Sequence, residues 1–220
     1  MANRIQRGLL IPSIFLLSSL MACKTRNIYL HRDIERETHS DLEWRPLFNG
    51  RNLEGWHASE GGSWEVNDGI IFGKSEASEP LHGILLTDRE FSDFKLKVIF
   101  KAVKGNSGVY FRVTEVEAPV RVHGFQAEID PRKDTGGLYE TGGRDWVVKR
   151  DPKEVQKWNT DGWNEMIILC IGSHITVWVN GLKTAELIND PGRRSGFIGI
   201  QLHGNMDMDV QFKNIMIHEY

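Results

Sequence analysis

The sequence predicts an all-β fold, a jelly-roll sandwich of two antiparallel sheets. From Trp44 onward, short runs alternate between apolar and polar residues, and Gly, Asn, Asp and Pro turns separate these runs about every ten residues. No amphipathic helix of four turns appears. Of the 220 residues, 40% are hydrophobic, which supports a folded core and excludes a disordered chain. So many short strands in about 175 residues require two packed sheets.

The first 22 residues have the features of an export signal. Two arginines precede an apolar run from Gly8 to Leu20, which is too short to span a bilayer as a permanent helix. The run ends in Leu20-Met-Ala-Cys23, which resembles a bacterial lipobox, a motif in which the cysteine is lipidated. A plain signal peptide cut near Cys23 is the alternative. We therefore expect an exported protein, held at the cell envelope by a lipid on Cys23.

The remainder divides into a tether and one domain. Residues 23–43 are polar and of mixed charge, which suits a tether, although a short surface helix is the alternative. The domain then covers residues 44–220. The formal net charge of −3 argues against a nucleic-acid partner, which would favour clustered Lys and Arg. The second cysteine, Cys170, lies in an apolar run, so we expect a buried, unreactive thiol and no disulfide.

Three strands carry polar residues where a sandwich would present ordinary solvated side chains. Alternate residues of a strand share one face. The residues that share faces are Gln126, Glu128 and Asp130 in one strand, Tyr110 and Arg112 in another, and Gln201 and His203 in a third. Carboxylates and amides bind sugar hydroxyls, and aromatic rings stack on pyranose faces, so the pattern favours a carbohydrate ligand. Each residue alone could be an ordinary exposed position.

Neither a glucanase site nor a metal site is indicated. In β-sandwich glucanases two catalytic carboxylates lie on one strand as Glu-x-Asp-x-Glu, but after Glu128 and Asp130 position 132 is Arg. No His or Cys spacing typical of a metal site occurs, so the sequence identifies no cofactor. The glycine-rich residues 135–143 are interpreted as a flexible loop over the polar face.

With these residues identified, the domain resembles the 3-keto-disaccharide hydrolase family from about Trp44 to His218. The motifs that carry the resemblance are Leu47-Phe-Asn-Gly50, Asn106-Ser-Gly-Val-Tyr-Phe-Arg112, Gly124-Phe-Gln-Ala-Glu-Ile-Asp130, Gly162-Trp-Asn-Glu165, Val177-Trp-Val-Asn-Gly181 and Gly196-Phe-Ile-Gly-Ile-Gln-Leu-His203. The resemblance implies a concanavalin A-like sandwich. It also implies action on glycosides that have been oxidised to a ketone at C3 of the sugar.

A ketone at C3 would explain the missing second carboxylate. It acidifies the proton on C2, so a base can remove that proton, the enolate can expel the oxygen from C1, and water can then add. On this mechanism we expect Glu128 as base, His203 as acid or second base, and Arg112 at the enolate. The residues expected to bind the substrate are Gln126, Asp130, Tyr110, Tyr139, Asn164, Trp178 and Gln201. The segment Gly143-Arg-Asp-Trp146 has no clear counterpart in the family, which leaves the leaving-group preference open.

Two other functions fit the same fold. A non-catalytic glycan-binding module would bind an intact polysaccharide, and a structural envelope lipoprotein would have neither ligand nor turnover. The clustered Glu, Asp, Arg and His favour proton transfer and hence the enzyme. The predicted partners are a carbohydrate substrate and, through the lipid anchor only, a membrane.

Overall fold

The computed structural model describes residues 42–130, 132–158 and 162–220, without the side chains of residues 157 and 158. This part of the chain contains fifteen strands and one short helix, α1 (Pro152–Trp158). The predicted signal, Cys23 and nearly all of the predicted tether lie outside the described residues. None of the described residues belongs to a helix that is long and apolar enough to cross a membrane.

Eight strands form one antiparallel sheet. They are β1 (Arg45–Pro46), β3 (Ser63–Asn67), β4 (Ile70–Ser75), β6 (Phe94–Lys104), β11 (Asn164–Ile171), β12 (His174–Val179), β13 (Leu182–Leu187) and β15 (Met208–Glu219). Their order is β13-β12-β11-β6-β15-β4-β3, and β1 pairs with β15 beside this path. We call this the eight-stranded sheet.

Seven strands form the second antiparallel sheet. They are β2 (Trp56–Ala58), β5 (Gly83–Thr87), β7 (Ser107–Glu115), β8 (Val122–Ile129), β9 (Leu138–Thr141), β10 (Asp145–Val148) and β14 (Phe197–Leu202). Their order is β10-β9-β8-β7-β14-β5-β2. We call this the seven-stranded sheet. Two antiparallel sheets with almost no helix confirm the predicted fold class.

The core lies between the two sheets and follows the predicted alternation. Phe94, Leu96, Val98 and Phe100 of β6 are buried in it, and the rings of Phe111 and Phe125 stack with centroids 5.6 Å apart. Burial of such large side chains is the main favourable contribution to folding. Cys170 is a free, buried thiol whose pKa is raised to about 12 by burial. The expectation of an unreactive core cysteine is therefore confirmed.

A second, smaller apolar cluster lies on the outer face of the seven-stranded sheet. Its buried members are Ile84, Leu86, Tyr110, Val113 and Val122. In β7 and β8 this cluster occupies the end near Val113 and Val122, whereas Gln126 and Glu128 lie towards the opposite end of β8. The outer face therefore has an apolar region and a polar region, which meet at Tyr110.

Arg112 does not share a face with Tyr110, which corrects the expectation from the sequence. Its φ is 51°, and the pairing of β7 shifts register at this point with both β8 and β14. Such a β-bulge adds one residue to the strand and reverses the faces beyond it. Val113, instead of Arg112, therefore lies beside Tyr110 in the outer cluster.

The Arg112 side chain instead ties together loops at one end of the sandwich. Its guanidinium is fully buried. It donates hydrogen bonds to the carbonyls of Ser92, Gly172 and Arg193 and to the Asp93 carboxylate, at 2.7–3.3 Å. Gly172 belongs to the turn between β11 and β12, so the arginine links the two sheets. At Gly196, a Cβ would lie 2.5 Å from the carbonyl carbon of Arg112, so the bulge requires glycine there.

The substitution Arg112→Met should lower the free energy of unfolding by about 3–5 kcal/mol, because it leaves buried acceptors without a donor. Urea unfolding at neutral pH measures this loss. Arg51 is exposed, so Arg51→Met is the matched control and should change stability by less than about 0.5 kcal/mol. Equal stability of the two variants would contradict the role assigned to Arg112.

Candidate functional site

A cleft of about 470 Å³ lies on the outer face of the seven-stranded sheet. Its volume is typical of small-molecule sites. The lining residues are His82, Asn106, Tyr110, Val120, Gln126, Glu128, Tyr139, Thr141, Gly142, Trp146, Gln201 and His203. Strands β14, β7, β8, β9 and β10 are consecutive in this sheet and each contributes a side chain, so the cleft runs across the strands.

Six residues that the sequence singled out meet in this cleft. They are Tyr110, Gln126, Glu128, Tyr139, Gln201 and His203. Five of them come from the outward-facing positions of β7, β8, β9 and β14, and His203 directly follows β14. Their catalytic and binding roles stay predictions.

Asn164 and Trp178 lie elsewhere, on the eight-stranded sheet. The Asn164 Oδ1 accepts a hydrogen bond of 2.8 Å from Asn180 Nδ2 at the open end of the β11–β12 hairpin. Trp178 alternates with the core residues Val177 and Val179, so its ring faces away from the seven-stranded sheet. Neither residue lies beside the other predicted site residues, because alternation assigns a residue to a face but not to a sheet; substrate binding by these two residues stays a prediction. Arg112, whose side chain ties the loops together, does not line the cleft either.

Asp130 is close to the site but does not line it. Strand β8 ends at Ile129, and the buried Asp130 Oδ1 accepts a hydrogen bond of 2.9 Å from the backbone N–H of Arg132. Asp130 therefore closes a turn beside the cleft, and its expected contact with the sugar stays a prediction. Its charge still acts on Glu128.

The Asn106-Ser-Gly108 part of one motif builds the floor of the cleft. Asn106 Nδ2 donates to Glu128 Oε1 at 3.3 Å, and Ser107 Oγ donates to the carbonyl of Gln201 at 2.7 Å. A Cβ at Gly108 would overlap the Gln126 side chain, so only glycine leaves room for that amide. Asn106 Oδ1 is buried and has no hydrogen-bond partner in the described part of the chain.

A chain of amides fixes the protonation of one histidine. Gln126 Nε2 donates to Gln201 Oε1 at 2.9 Å, which directs the Gln201 NH₂ group to the Tyr110 hydroxyl at 3.0 Å and to His82 Nδ1 at 3.2 Å. His82 Nδ1 must then be an acceptor, so the proton of the neutral ring is on Nε2. Burial, with a smaller effect of His203, lowers the pKa of His82 to about 4. His82 is therefore neutral near pH 7.

His203 has the opposite tautomer. Its Nδ1 lies 2.7 Å from the carbonyl oxygen of Gly204, which can only accept, so this nitrogen carries a proton. In the neutral ring the lone pair is then on Nε2. The two imidazole rings are adjacent, with centroids 4.3 Å apart and planes tilted by 42°. Together the two rings offer an N–H donor at His82 Nε2 and, when His203 is unprotonated, a lone pair at His203 Nε2.

Glu128 is held in its protonated form near neutral pH. Burial raises the pKa of this carboxyl to about 8, and the charges of Asp130 and Asp134 add to the effect. A carboxylic acid whose pKa lies near the working pH can both donate and accept a proton. Buried, pKa-shifted groups in a cleft are typical of catalytic sites.

The hairpin of β9 and β10 forms the other end of the cleft. The glycine-rich residues 135–143 are not a continuous loop, because Leu138–Thr141 pair with β8 as strand β9. The Tyr139 hydroxyl donates to Asp145 Oδ1 at 2.7 Å, and this bond raises the pKa of Tyr139 to about 12. The ring of Tyr139 meets that of Trp146 edge to face, with centroids 5.4 Å apart.

The sequence interpretation did not identify several lining residues. Asn106 begins the Asn106–Arg112 family motif, and Trp146 ends the segment without a clear counterpart in the family. The sequence therefore gave a reason to consider both positions as site residues. His82 and Thr141 gave none, because His82 precedes a strand and Thr141 ends a short one. In the described part of the chain, no group of three or more His, Cys, Asp or Glu could hold a metal ion.

A family model described as the 3-keto-alpha-glucoside-1,2-lyase-like domain matches residues 43–218. The chain belongs to this family. We call the matched part of the chain, residues 43–218, the lyase-like domain. It includes every residue that lines the cleft. No curated protein sequence matches the chain at a significant level.

Solved structures similar to the lyase-like domain share its fold. A Parabacteroides distasonis protein, provisionally described as a glycosyl hydrolase, has 20% identity and a TM-score of 0.61, over 84% of this chain and 98% of that chain. A Bacillus subtilis protein of unknown function with a galectin-like fold has 14% identity and a TM-score of 0.62, over 81% and 95%. The carbohydrate binding module CBM66 of Bacillus subtilis has 14% identity and a TM-score of 0.58, over 75% and 96%. At these identities the likeness shows the fold alone.

The raised pKa of Glu128 predicts a pH-dependent stability. Because the folded state holds this proton more tightly, its stabilising effect is complete below the unfolded pKa of 4.5 and is lost as the pH rises through about 8. Glu128→Gln cannot ionise, so it should be more stable than the parent at pH 9 by more than about 1 kcal/mol, and nearly equal at pH 4. Urea unfolding at both pH values measures the difference.

Glu54 is exposed, so Glu54→Gln is the control and should follow the parent at both pH values. If Glu128→Gln also followed the parent, the carboxyl of Glu128 would not be held protonated in the folded state.

Proposed function

We propose that the lyase-like domain cleaves glycosides that carry a ketone at C3, by removal of the C2 proton, elimination of the C1 oxygen and addition of water. The observation that carries the proposal is the single carboxyl of the cleft: among its described lining residues, Glu128 is the only Asp or Glu. Hydrolysis through an oxocarbenium ion uses two carboxyl groups about 5–9.5 Å apart, one on each side of the bond. Elimination from a keto-sugar needs one acid and one base, which the cleft provides.

The tautomers of the two histidines and the protonated Glu128 support the following first half of the reaction. The Nε2 lone pair of unprotonated His203 removes the proton from C2, and the C–H electron pair becomes the enolate between C2 and C3. His82 Nε2–H is a neutral donor for the developing enolate oxygen. The protonated Glu128 gives its proton to the glycosidic oxygen as the bond from C1 breaks. The products are an enone and a free alcohol.

The second half reverses the two proton transfers. The Glu128 carboxylate accepts a proton from water while the water oxygen bonds to C1. The His203 imidazolium exchanges its N–H with solvent and then delivers a proton to C2. Both residues recover their starting states, so the net reaction is hydrolysis. This assignment exchanges the roles expected for Glu128 and His203 from the sequence, because a carboxyl with a pKa of about 8 is an acid near pH 7.

The amides of Asn106, Gln126 and Gln201 supply the sugar contacts. The buried Asn106 Oδ1 has no hydrogen-bond partner among described residues. Leaving a buried acceptor unpaired is costly, so a sugar hydroxyl that donates to Asn106 adds to the binding energy. Gln126 and Gln201 hold each other in place and keep their amides in fixed orientations.

Isotope exchange at C2 tests the mechanism. With methyl 3-keto-glucoside labelled with deuterium at C2, the domain should show a primary isotope effect, and the product should acquire solvent hydrogen at C2. Glu128→Gln and His203→Ala should each reduce kcat by at least about 100-fold. Arg51 is exposed and does not line the cleft. Arg51→Met is therefore the control and should retain the parent activity.

The outcomes separate this proposal from its rivals. Full retention of deuterium at C2 together with no primary isotope effect would rule out the elimination. Binding of unoxidised disaccharide with no turnover of the keto-sugar would identify a glycan-binding module. One structural neighbour, CBM66 of Bacillus subtilis, is a carbohydrate binding module. Neither binding nor turnover would leave a structural role.

We further infer that the protein is exported and anchored by a lipid on Cys23, as the Leu20-Met-Ala-Cys23 motif indicates. In a bacterial host, the parent should fractionate with membranes and incorporate labelled palmitate. Cys23→Ala should lose the label and the membrane association, because the thiol is the attachment point. Cys170→Ala is the control and should keep both. Membrane association without label would contradict lipidation.

A further inference from the structure

We propose that Trp146 forms a binding site for a ring-shaped leaving group, a second sugar ring or an aryl group, at the β10 end of the cleft. The inference rests on the proposed function, because the positions of acid and base give the cleft a direction. It assigns a role to the segment Gly143-Arg-Asp-Trp146, which the family motifs do not explain.

The order of the strands provides the first argument. His203 follows β14, Glu128 lies on β8, and Trp146 lies on β10 at the edge of the sheet. Neighbouring strands are about 4.8 Å apart, so β14 and β10 are separated by about 19 Å, with β8 midway. The base therefore acts between β14 and β8, and the acid stands at the centre of the cleft.

This order places the two halves of the substrate. The sugar that carries the ketone lies between β14 and β8, where the base reaches C2 and the acid reaches the oxygen on C1. Whatever is attached to that oxygen must continue over β9 and β10. A six-membered ring is about as wide as one strand spacing, so one further ring covers the step from β8 to β9. There it meets the indole of Trp146, which reaches over β9 and contacts the Tyr139 ring.

The chemistry of the β10 end suits such a ring. Trp146 is half-buried and lines the cleft. The apolar face of a sugar or aryl ring packs on an indole, whereas a small alkyl group offers little surface for that contact. Beyond Glu128, the described lining of this end consists of Tyr139, Thr141, Gly142 and Trp146, which are uncharged.

The hairpin that carries Trp146 is held rigidly before any ligand binds. The Tyr139 hydroxyl is bonded to Asp145, and the Tyr139 ring stands at 86° to the indole. At the tip, Arg144 Nη1 and Nη2 donate to the two oxygens of Asp190 at 2.8 and 3.0 Å, and its Nε contacts Glu140. Asp190 is buried in the segment between β13 and β14. A preformed ring site loses little entropy on binding.

Two substrates that differ only in the leaving group test the site. Purified parent, Trp146→Ala and Trp146→Phe are assayed with 3-keto-lactose, whose leaving group is a sugar ring, and with methyl 3-keto-β-galactoside, whose leaving group is methanol. For Trp146→Ala, kcat/KM should fall about 10-fold for the disaccharide and less than about 2-fold for the methyl glycoside. Trp146→Phe should recover part of the loss.

The control is another tryptophan outside the cleft. The Trp163 ring lies 3.9 Å from Lys213 Nζ, which belongs to the eight-stranded sheet. Trp163→Ala should leave the ratio of the two kcat/KM values unchanged. Equal losses for both substrates in Trp146→Ala, or no loss for either, would overturn the proposed site.

Failure of the proposed function gives a different result. If the parent turned over neither substrate, the function would be wrong, and the site would be tested by calorimetry with lactose and methyl β-galactoside. Trp146→Ala should then weaken lactose binding about 10-fold and leave methyl β-galactoside binding unchanged. Equal affinities of parent and variant for lactose would overturn the site as well.

Discussion

The buried guanidinium of Arg112 is the interaction on which the rest of the structure depends. A buried charge is stable only when its donors are paired, and this one satisfies three carbonyls and a carboxylate from separate loops. Its bulge reverses the faces of β7 beyond Tyr110, so an apolar cluster follows the polar cleft on the same surface. The same residue thus holds the two sheets together and marks the boundary of the site.

Within the cleft, hydrogen-bond direction decides the chemistry. Gln126 orients Gln201, Gln201 donates to His82, and the Gly204 carbonyl sets the tautomer of His203. A neutral His82 and a protonated Glu128 keep the charge of the site low. On the proposed mechanism such a site suits a neutral sugar, because the ketone of the sugar takes up the developing negative charge.

Much of this site could be predicted from the sequence, and the exceptions have physical causes. Period-two alternation located Tyr110, Gln126, Glu128 and Gln201, since strands are straight enough there for the rule to hold. At Arg112 a positive φ breaks the alternation. Asn164 and Trp178 satisfy the rule on the other sheet, because alternation contains no information on long-range pairing. His82 precedes its strand, and Trp146 lies on an edge hairpin, so neither position belongs to a long alternating run.

The edge position of β10 has a consequence for how such domains diversify. An edge strand has one neighbour, so a hairpin of different length or composition can replace β9–β10 at the rim while β8, β7 and β14 keep their pairing. The groups to which we assign proton transfer lie on or beside those inner strands. On the proposed mechanism, leaving-group specificity and acid–base chemistry therefore reside in different strands, and exchange of the β9–β10 hairpin would change the first without moving the second.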